Sequence, residues 1–277
     1  MTAPLERIVP IPGPDPRPGE VFVAADPAGV ALAAAERICT ALSAALAQRE
    51  SANIALTGGS SAMALALELR KPRWQDALTW DRVGVWWGDE RFVPADSPDC
   101  NFAEAFRDLL NQGGLPVPRA NIHPFPVETA LAEGRDMAWV AQAYAWELQT
   151  MLPHRDGLPA FDVILLGMGS DGHILSVFPD SRAFEPDAPL VLDVPAPTHI
   201  TPHLPRVTIN PRLLGVASHV LLMAPGAAKA GTVSRALTGE RDPRKLPVQL
   251  TLSPNATWLL DTGSAAELLA ERVPVQA

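Results

Sequence analysis

The chain has 277 residues, of which 47% are hydrophobic and 19% charged, and this is enough apolar material for one large or two small domains. Its formal net charge of −9, with no segment that concentrates Lys and Arg, argues against a broad surface for nucleic acid. We therefore expect no nucleic-acid partner, and any anionic ligand has to be held by a local site.

The cysteines and the most apolar segments limit the setting of the protein. Cys39 and Cys100 are too few for a four-ligand zinc site and do not suggest a disulfide framework, so we expect a reducing, cytoplasmic setting and no metal. Residues 1–20 contain prolines, arginines and an acid where a secretory signal has an apolar run, and we interpret them as a mobile leader. The apolar stretch 31–48 contains charges and is shorter than the roughly 20 apolar residues of a bilayer span, so no membrane insertion is expected.

The predicted elements alternate between helix and strand. An alanine-rich segment, residues 28–50, has apolar residues at helical spacing and predicts an amphipathic helix. The apolar run NIALTGG is stopped by glycines and leads into SSAMALALELR, which begins with residues typical of a helix N-cap. The strand RVGVWWGDER precedes the helix NFAEAFRDLL, and the helix RDMAWVAQAYAWELQTML leads to the strand FDVILLGMG. A strand, a turn and a helix recur in HVLLMAPGAAKAGTVSRAL and in TWLLDTGSAAELLAE.

This alternation predicts an α/β fold with a mainly parallel sheet covered by helices on both faces, in a single domain spanning residues 21–277. The proline-rich stretch 186–205 is interpreted as a long excursion within that domain. Because ligands of open α/β sheets bind beyond the carboxyl ends of the strands, we expect the chemistry at the glycine-bearing turns.

Two of these turns are candidate anion sites. LTGGSSAM offers Gly58, Gly59 and Ser60 as backbone and hydroxyl donors at a helix start, an arrangement that suits an anion but is also common between strand and helix. WWGDERFVPADSPDCN places Asp89 and Arg91 directly after an apolar strand. The Arg91 guanidinium can clamp a phosphate or carboxylate, or it can form an ordinary surface ion pair.

Two further regions offer a base and more cations. FDVILLGMGSDGHILSVFPDS presents Asp171 and His173 on a glycine-rich turn. Histidine is well matched to proton transfer near neutral pH, although it can equally be a structural residue at a helix start, with Asp171 as an N-cap. Arg206 starts a strand and Lys229 lies just inside a helix, where each can reach an anion or remain solvated. Because no GxSxG, P-loop or dinucleotide motif is present, the sequence shows no covalent nucleophile.

Five blocks in this order resemble the 6-phosphogluconolactonase family: ALTGGSS, GDERFVPADSPDCN, FDVILLGMGSDGHILSVFP, RVTIN and APGAAKAGTV. The resemblance runs from about residue 28 to the C-terminus, and the third block is the most specific. The resemblance implies a three-layer α/β/α fold shared with glucosamine-6-phosphate deaminases and ribose-5-phosphate isomerases. It also implies hydrolysis of a sugar-phosphate lactone, 6-phosphoglucono-δ-lactone, to 6-phosphogluconate in the pentose phosphate pathway without a cofactor.

The resemblance also assigns site residues. His173 matches the family's proposed general base, and we add Asp171 to the catalytic set. The substrate-binding set implied in this way, to which we add Asp89, is Gly58, Gly59, Ser60, Asp89, Arg91, Arg206 and Lys229. The chain departs from the usual family residues, which leaves the fine shape of the pocket open, at Ser61, Ala62, Cys100, Ile174 and Leu175.

The implied chemistry agrees with the residues. A lactone is an activated ester, so a positioned water, a base and donors for the oxyanion suffice without an acyl-enzyme. Two alternatives remain. DGHI also resembles glucosamine-6-phosphate deaminases, although that family has an acid–Tyr pair where this chain has Glu90 and Arg91, and a glutamate soon after the histidine. A catalytically silent sugar-phosphate sensor would keep the cations and need no base.

Overall fold

The structure is a computed structural model that describes residues 6–8, 17–111 and 113–270. Within these ranges the strands are β1 (Glu6–Ile8), β2 (Glu20–Ala24), β3 (Ala52–Leu56), β4 (Val83–Trp87), β5 (Asp89–Arg91), β6 (Ile122–His123), β7 (His154–Arg155), β8 (Leu158–Pro159), β9 (Val163–Gly167), β10 (Val191–Val194), β11 (Arg206–Ile209), β12 (His219–Met223) and β13 (Ala256–Asp261). The α-helices are α1 (Pro27–Leu46), α2 (Ser60–Leu69), α3 (Pro72–Gln75), α4 (Asn101–Ala105), α5 (Val127–Glu133), α6 (Met137–Met151), α7 (Ala230–Thr238) and α8 (Ala266–Ala270). A π-helical turn at Phe106–Leu110 follows α4, and 3₁₀ turns occur at Trp80–Arg82, Arg119–Asn121, Arg182–Phe184, Pro211–Gly215, Ala227–Lys229 and Pro247–Thr251.

A central sheet organises the described part of the chain. Its eight strands there have the order β1-β2-β13-β12-β9-β3-β4-β6. All neighbours are parallel except β1, which pairs antiparallel with β2. Every residue of β3 and β4 is buried, which requires cover on both faces of the sheet. The predicted α/β fold with a mainly parallel sheet between helical layers is confirmed.

Helix α1 is part of this cover. It has 20 residues and is long and apolar enough to cross a membrane by length and composition, so the expectation that this segment is too short for a span is wrong. No other helix in the described ranges meets that criterion. Half of α1 is buried against α2 and the sheet, through Val30, Ala31, Ala33, Ala34, Ala35, Ile38, Cys39, Ala41, Leu42 and Ala45. This burial is typical of a core helix, because small side chains allow it to lie close to the strands.

A second, smaller sheet holds two of the predicted site residues. It consists of the antiparallel strands β10, β11 and β5, with Arg206 of β11 directly opposite Arg91 of β5. The stretch RVGVWWGDER, predicted as one strand, is instead divided between the two sheets at Gly88. The Gly88 N–H donates to the Leu56 carbonyl at 2.9 Å, and its carbonyl accepts from the Ile209 N–H at 2.9 Å. The predicted excursion 186–205 likewise contains a strand, β10.

The predicted leader is described only in part. Glu6–Ile8 pair with β2, with Glu6 opposite Val23. Residues 1–5 and 9–16 lie outside the described residues, as do 271–277, so the mobility of the leader stays a prediction. Strand β2 begins one residue before the predicted start of the domain at residue 21.

Candidate active site

The carboxyl ends of the central strands open on a cleft of about 260 Å³. The turns after β3, β9 and β12 and the strands β5 and β11 form its walls. Eight of the nine predicted site residues line it: Gly58, Gly59, Ser60, Asp89, Arg91, His173, Arg206 and Lys229. The ninth, Asp171, lies beside His173 without lining the cleft. Residues that are far apart in the sequence are thus brought to one place.

Two glycines shape the turn that carries His173. Gly172 has a φ of 86°, and a Cβ there would lie 2.3 Å from Cδ1 of Leu246. A Cβ at Gly169 would lie 2.2 Å from the His173 ring, so a side chain at either position would displace the turn. The turn does not lead into a helix. The alternative interpretation, with His173 at a helix start and Asp171 as its N-cap, is therefore wrong.

His173 and Asp171 form a hydrogen-bonded pair. Nδ1 of His173 lies 2.6 Å from Oδ1 of Asp171, and the His173 backbone N–H donates to the same oxygen at 3.2 Å. Burial alone would raise the pKa of Asp171, but hydrogen bonds from His173 and His199 and the charge of His173 hold it below its usual range. Because an ionised Asp171 accepts the proton on Nδ1, the lone pair of His173 is at Nε2.

Arg91 and Arg206 use only part of their hydrogen-bonding capacity. Nη1 of Arg91 donates to the Asp99 carbonyl at 2.7 Å, and Nη2 of Arg206 donates to the Pro202 carbonyl at 3.3 Å. The Nε atoms of both arginines are buried and have no hydrogen-bond partner among the described residues. Burial lowers the pKa of Arg206, and the neighbouring Arg91 acts in the same direction. An anion between the two guanidinium groups would relieve both effects.

Lys229 faces the cleft from the turn between β12 and α7. Gly226, with a φ of 105°, makes this turn, and Asp261 fixes it by accepting the Gly226 N–H at 3.0 and 3.1 Å. Burial lowers the pKa of Lys229, and the charge of Asp261 partly offsets this. Within the described ranges the ammonium group makes no hydrogen bond or ion pair. It is a third cation available to an anionic ligand.

The turn between β3 and α2 is closely packed against Asn101. A Cβ at Gly58 would lie 1.9 Å from Oδ1 of Asn101, an atom that is buried without a hydrogen-bond partner among the described residues. The other amide atom, Nδ2, donates to the Asp89 carbonyl at 3.0 Å. Gly59, with a φ of 88°, occupies the N-cap of α2, so the prediction that a serine caps this helix is wrong. The start of α2 still lines the cleft with Gly59, Ser60 and Ser61, and the first backbone N–H groups of a helix have no partner within it.

The two acids before Arg91 have different contacts. Asp89 accepts a hydrogen bond from the Ser176 hydroxyl at 2.6 Å, which joins β5 to the turn of His173. Glu90 is 2% exposed, and its carboxylate accepts three backbone N–H groups, from Arg91 and from the first two residues of α4, at 2.7–2.8 Å. Burial raises the pKa of Glu90 to about 7, although these hydrogen bonds lower it; Asp89 adds to the rise. Glu90 thus holds the segment that presents Arg91.

Three of the five departures from the usual family residues, at Cys100, Ile174 and Leu175, have clear local surroundings. Cys100, where the family has Ser, caps α4: its Sγ accepts the Ala103 N–H at 3.4 Å. Burial raises the pKa of the Cys100 thiol to about 11, with Glu90 acting in the same direction. Leu175 lines the cleft with a φ of 54°, and its side chain lies close to Gly88, where a Cβ would lie 2.6 Å from Leu175 Cδ2. Ile174 is fully buried.

Sequence reasoning missed four residues that contact the predicted set: Asn101, Ser176, Phe178 and His199. The first three lie inside the motifs used above, so their place in those motifs could have marked them as neighbours of the site. Their residue types alone, Asn, Ser and Phe, do not indicate such a role. His199 lies in the proline-rich stretch, where nothing local marked it. In residues 17–111 and 113–270 no group of three or more His, Cys, Asp or Glu is arranged to hold a metal ion.

Comparison with known proteins identifies the family. Residues 25–260 match the family model of glucosamine-6-phosphate isomerases/6-phosphogluconolactonase. The chain is 36% identical over 242 residues to a 6-phosphogluconolactonase of Mycobacterium tuberculosis, covering 85% of this chain and 93% of the relative. It is 34% identical over 243 residues to a 6-phosphogluconolactonase of Streptomyces coelicolor, covering 86% and 90%.

A solved structure gives the same result. The 6-phosphogluconolactonase of Trypanosoma brucei is similar with a TM-score of 0.78 and 29% identity, and the match covers 92% of this chain and 99% of that one. The coverage is nearly complete on both sides, so the likeness extends to the whole fold and not to one motif. The resemblance inferred from the five blocks is confirmed, and the chain belongs to the glucosamine-6-phosphate isomerase/6-phosphogluconolactonase family.

Proposed function

We propose that the protein hydrolyses 6-phosphoglucono-δ-lactone to 6-phosphogluconate, a step of the pentose phosphate pathway, with His173 as general base. The observation that carries this proposal is the hydrogen-bonded pair of His173 and Asp171 at the edge of a cleft whose cations keep unused N–H groups. The names of the similar proteins support the substrate.

The reaction needs one base that acts twice. The oxygen of a water attacks the lactone carbonyl carbon while Nε2 of His173 takes a proton from that water, and the carbonyl oxygen becomes an oxyanion. The bond between this carbon and the ring oxygen then breaks, and the ring oxygen takes the proton back from Nε2. The products are a carboxylic acid, which ionises, and a free hydroxyl. Asp171 stabilises the transient imidazolium through Nδ1–H.

The phosphate is held by the cations of the cleft. A protein of net charge −9 repels a dianion unless a local group of positive charges receives it. Arg91 and Arg206 lie side by side, and Lys229 lines the same cleft, so together they supply that charge. Binding of the distant phosphate orients the reacting carbonyl towards His173.

The family also contains isomerases, which move protons between carbon atoms. The other two acids near the cleft are engaged: Asp89 with the Ser176 hydroxyl and Glu90 with three backbone N–H groups. One available base at His173 is sufficient for hydrolysis, and this favours the lactonase over the isomerase or deaminase.

The direct test offers the purified protein 6-phosphoglucono-δ-lactone and glucosamine 6-phosphate in parallel. We expect acid release from the lactone well above its spontaneous hydrolysis, measured by titration at constant pH, and no ammonia from the amino sugar. Ammonia release would instead establish a deaminase. Binding of both compounds without turnover of either would establish a sensor, and in both cases the proposal would be rejected.

A further inference from the structure

The carboxylate of Asp171 is contacted from two sides. Oδ1 accepts from Nδ1 of His173 at 2.6 Å, and Oδ2 lies 3.0 Å from Nε2 of His199. His199 belongs to the connection between β10 and β11, residues 195–205, which is remote in sequence from the turn after β9. Asp171 therefore lies between two imidazole rings from different parts of the fold.

One aromatic side chain holds this arrangement together. The Phe178 ring lies 4.7 Å from the ring of His173 and 5.5 Å from the ring of His199, edge-on to the latter. The Cζ atom of the Arg206 guanidinium lies over the same ring, 5.3 Å from its centroid. The 195–205 connection is also tied internally, since Nδ1 of His203 lies 2.7 Å from the Pro197 carbonyl. His199 is thus held next to Asp171 by more than its own hydrogen bond.

We propose that His199 is a positioning residue: by donating Nε2–H to Oδ2 it fixes the plane of the Asp171 carboxylate, and the carboxylate in turn fixes the tautomer and direction of the His173 ring. This inference rests on the proposed function for its kinetic part. A carboxylate with one hydrogen-bonded oxygen can rotate about its Cβ–Cγ bond, whereas a carboxylate held at both oxygens cannot do so without breaking a contact. His199 does not line the cleft, so it acts through Asp171 and not on the substrate.

Two substitutions separate this role from a general effect on the loop. His199→Ala removes the donor, whereas His199→Gln keeps an N–H donor at about the distance of Nε2. Thr198→Ala is the matched control, because Thr198 is its exposed neighbour in the same connection. The side chain of His199 is 48% exposed, so we expect all three variants to fold.

In steady-state kinetics with the phosphorylated lactone, His199→Ala should lower kcat roughly 5- to 20-fold with little change in KM, which corresponds to the loss of about 1–2 kcal/mol for one half-exposed hydrogen bond. His199→Gln should recover most of this loss, and Thr198→Ala should match wild type. A kcat of His199→Ala equal to wild type, an equal loss in Thr198→Ala, or no recovery in His199→Gln would each overturn the inference.

A second measurement needs no substrate. ¹⁵N NMR of the histidine rings at pH 8 distinguishes an imidazole protonated on Nδ1 from one protonated on Nε2. His173 should be protonated on Nδ1 in wild type and His199→Gln, and should become a mixture of both tautomers in His199→Ala. An unchanged tautomer in His199→Ala rejects the inference. Because this result is independent of turnover, an inactive wild type would reject the proposed function and leave the positioning role to be decided by NMR.

Discussion

The two ends of the parallel sheet both contain a cleft with arginines, but the two clefts differ in how those arginines are used. The cleft at the amino ends of the strands is the larger, at about 340 Å³ against about 260 Å³. Its arginines are engaged by the protein: Arg49 pairs with the buried Asp162, and Arg155 donates to the Val216 carbonyl at 2.8 Å and the Ser218 hydroxyl at 3.0 Å.

At the carboxyl ends, Arg91 and Arg206 keep buried Nε atoms without partners among the described residues, and Lys229 makes no ion pair there, although the charge of Asp261 acts on it. The volume of a cleft therefore does not identify a site. Unpaired buried cations are the better marker, because a buried charge without a partner is costly unless a ligand completes it. The buried indole N–H groups of Trp87 and Trp258 are also unpaired, but they carry no charge.

The largest expected difference between the two ends concerns histidine. His173→Ala should lower kcat by about 10²–10⁴, the usual contribution of a general base. His219→Ala, at the amino-end cleft, should leave turnover unchanged. Both variants are assayed with the phosphorylated lactone after thermal unfolding shows that they are folded. A folded His173→Ala protein with more than a tenth of wild-type turnover would remove His173 from the mechanism.

The second test compares the buried acids, Glu90 at the carboxyl end and Asp162 at the amino end. The pKa of Glu90 is raised by burial from 4.5 to about 7, so the native state binds this proton more tightly than the unfolded state does. The contribution of Glu90 to the free energy of unfolding is therefore greatest below pH 4.5, and it should fall by about 3 kcal/mol as the pH rises from 4.5 to 7 and then stay constant.

Urea unfolding of wild type and Glu90→Gln at several values from pH 5 to 8 measures this effect. The wild-type free energy of unfolding, relative to that of Glu90→Gln, should decline with rising pH. As a control, the same two proteins are compared with Asp162→Asn added to both. The decline should persist, because it comes from Glu90 and not from the buried acid at the amino end. If the difference in the free energy of unfolding between wild type and Glu90→Gln does not change with pH, the pKa of Glu90 is not raised. The three N–H donors would then compensate fully for the burial of the charged carboxylate.

The third test compares arginines. Arg206→Ala should lower the preference in kcat/KM for the phosphorylated over the unphosphorylated lactone by about 10²-fold, or about 2.7 kcal/mol, because a charged partner of the phosphate is lost. Arg155→Ala should keep the full preference, since this side chain already bonds to protein atoms. If both variants keep the wild-type preference, the phosphate is held elsewhere.

The smallest expected effect is on stability at the amino end. Asp162 accepts the Asn53 N–H at 2.8 Å and pairs with Arg49, so Asp162→Asn should lower the free energy of unfolding by about 2 kcal/mol. Activity per folded molecule should not change, the opposite of the result for Arg206→Ala. Urea unfolding and steady-state kinetics on the same sample measure stability and activity. A large loss of kcat in Asp162→Asn would contradict the prediction that the amino-end cleft contributes to stability and not to turnover.

The sequence was sufficient for the parallel sheet and the glycine turns, because apolar runs that end in glycine have a local signature. It was not sufficient to predict that β4 and β5 separate at Gly88, because the sequence continues without interruption from the central sheet into the smaller sheet. Only the hydrogen-bond partners of the Gly88 backbone show that the chain passes from one sheet to the other there. The strand β10 was missed because prolines on both sides resemble a loop.

Prediction of the site had a similar limit. Motifs identified His173, Arg91 and Arg206, but no local pattern indicates that the two arginines are cross-strand neighbours, because that contact joins distant segments. The contact of His199 with Asp171 depends on how the 195–205 connection returns to the turn after β9, which is a property of tertiary packing alone.

The pairing of β2 with β13 has a consequence for how the protein is made. Strand β2 is synthesised well before its parallel partner in the described sheet, β13, with Glu20 opposite Thr257. At about 5–20 residues per second, a ribosome needs on the order of 10 s or more to complete the segment between them. During that time β2 lacks its parallel partner, and the part of α1 that packs on β13 is uncovered although α2 and β3 already exist, so nascent chains are exposed to aggregation. We therefore expect chaperone supply and growth temperature, more than the stability of the finished fold, to set the yield of folded protein.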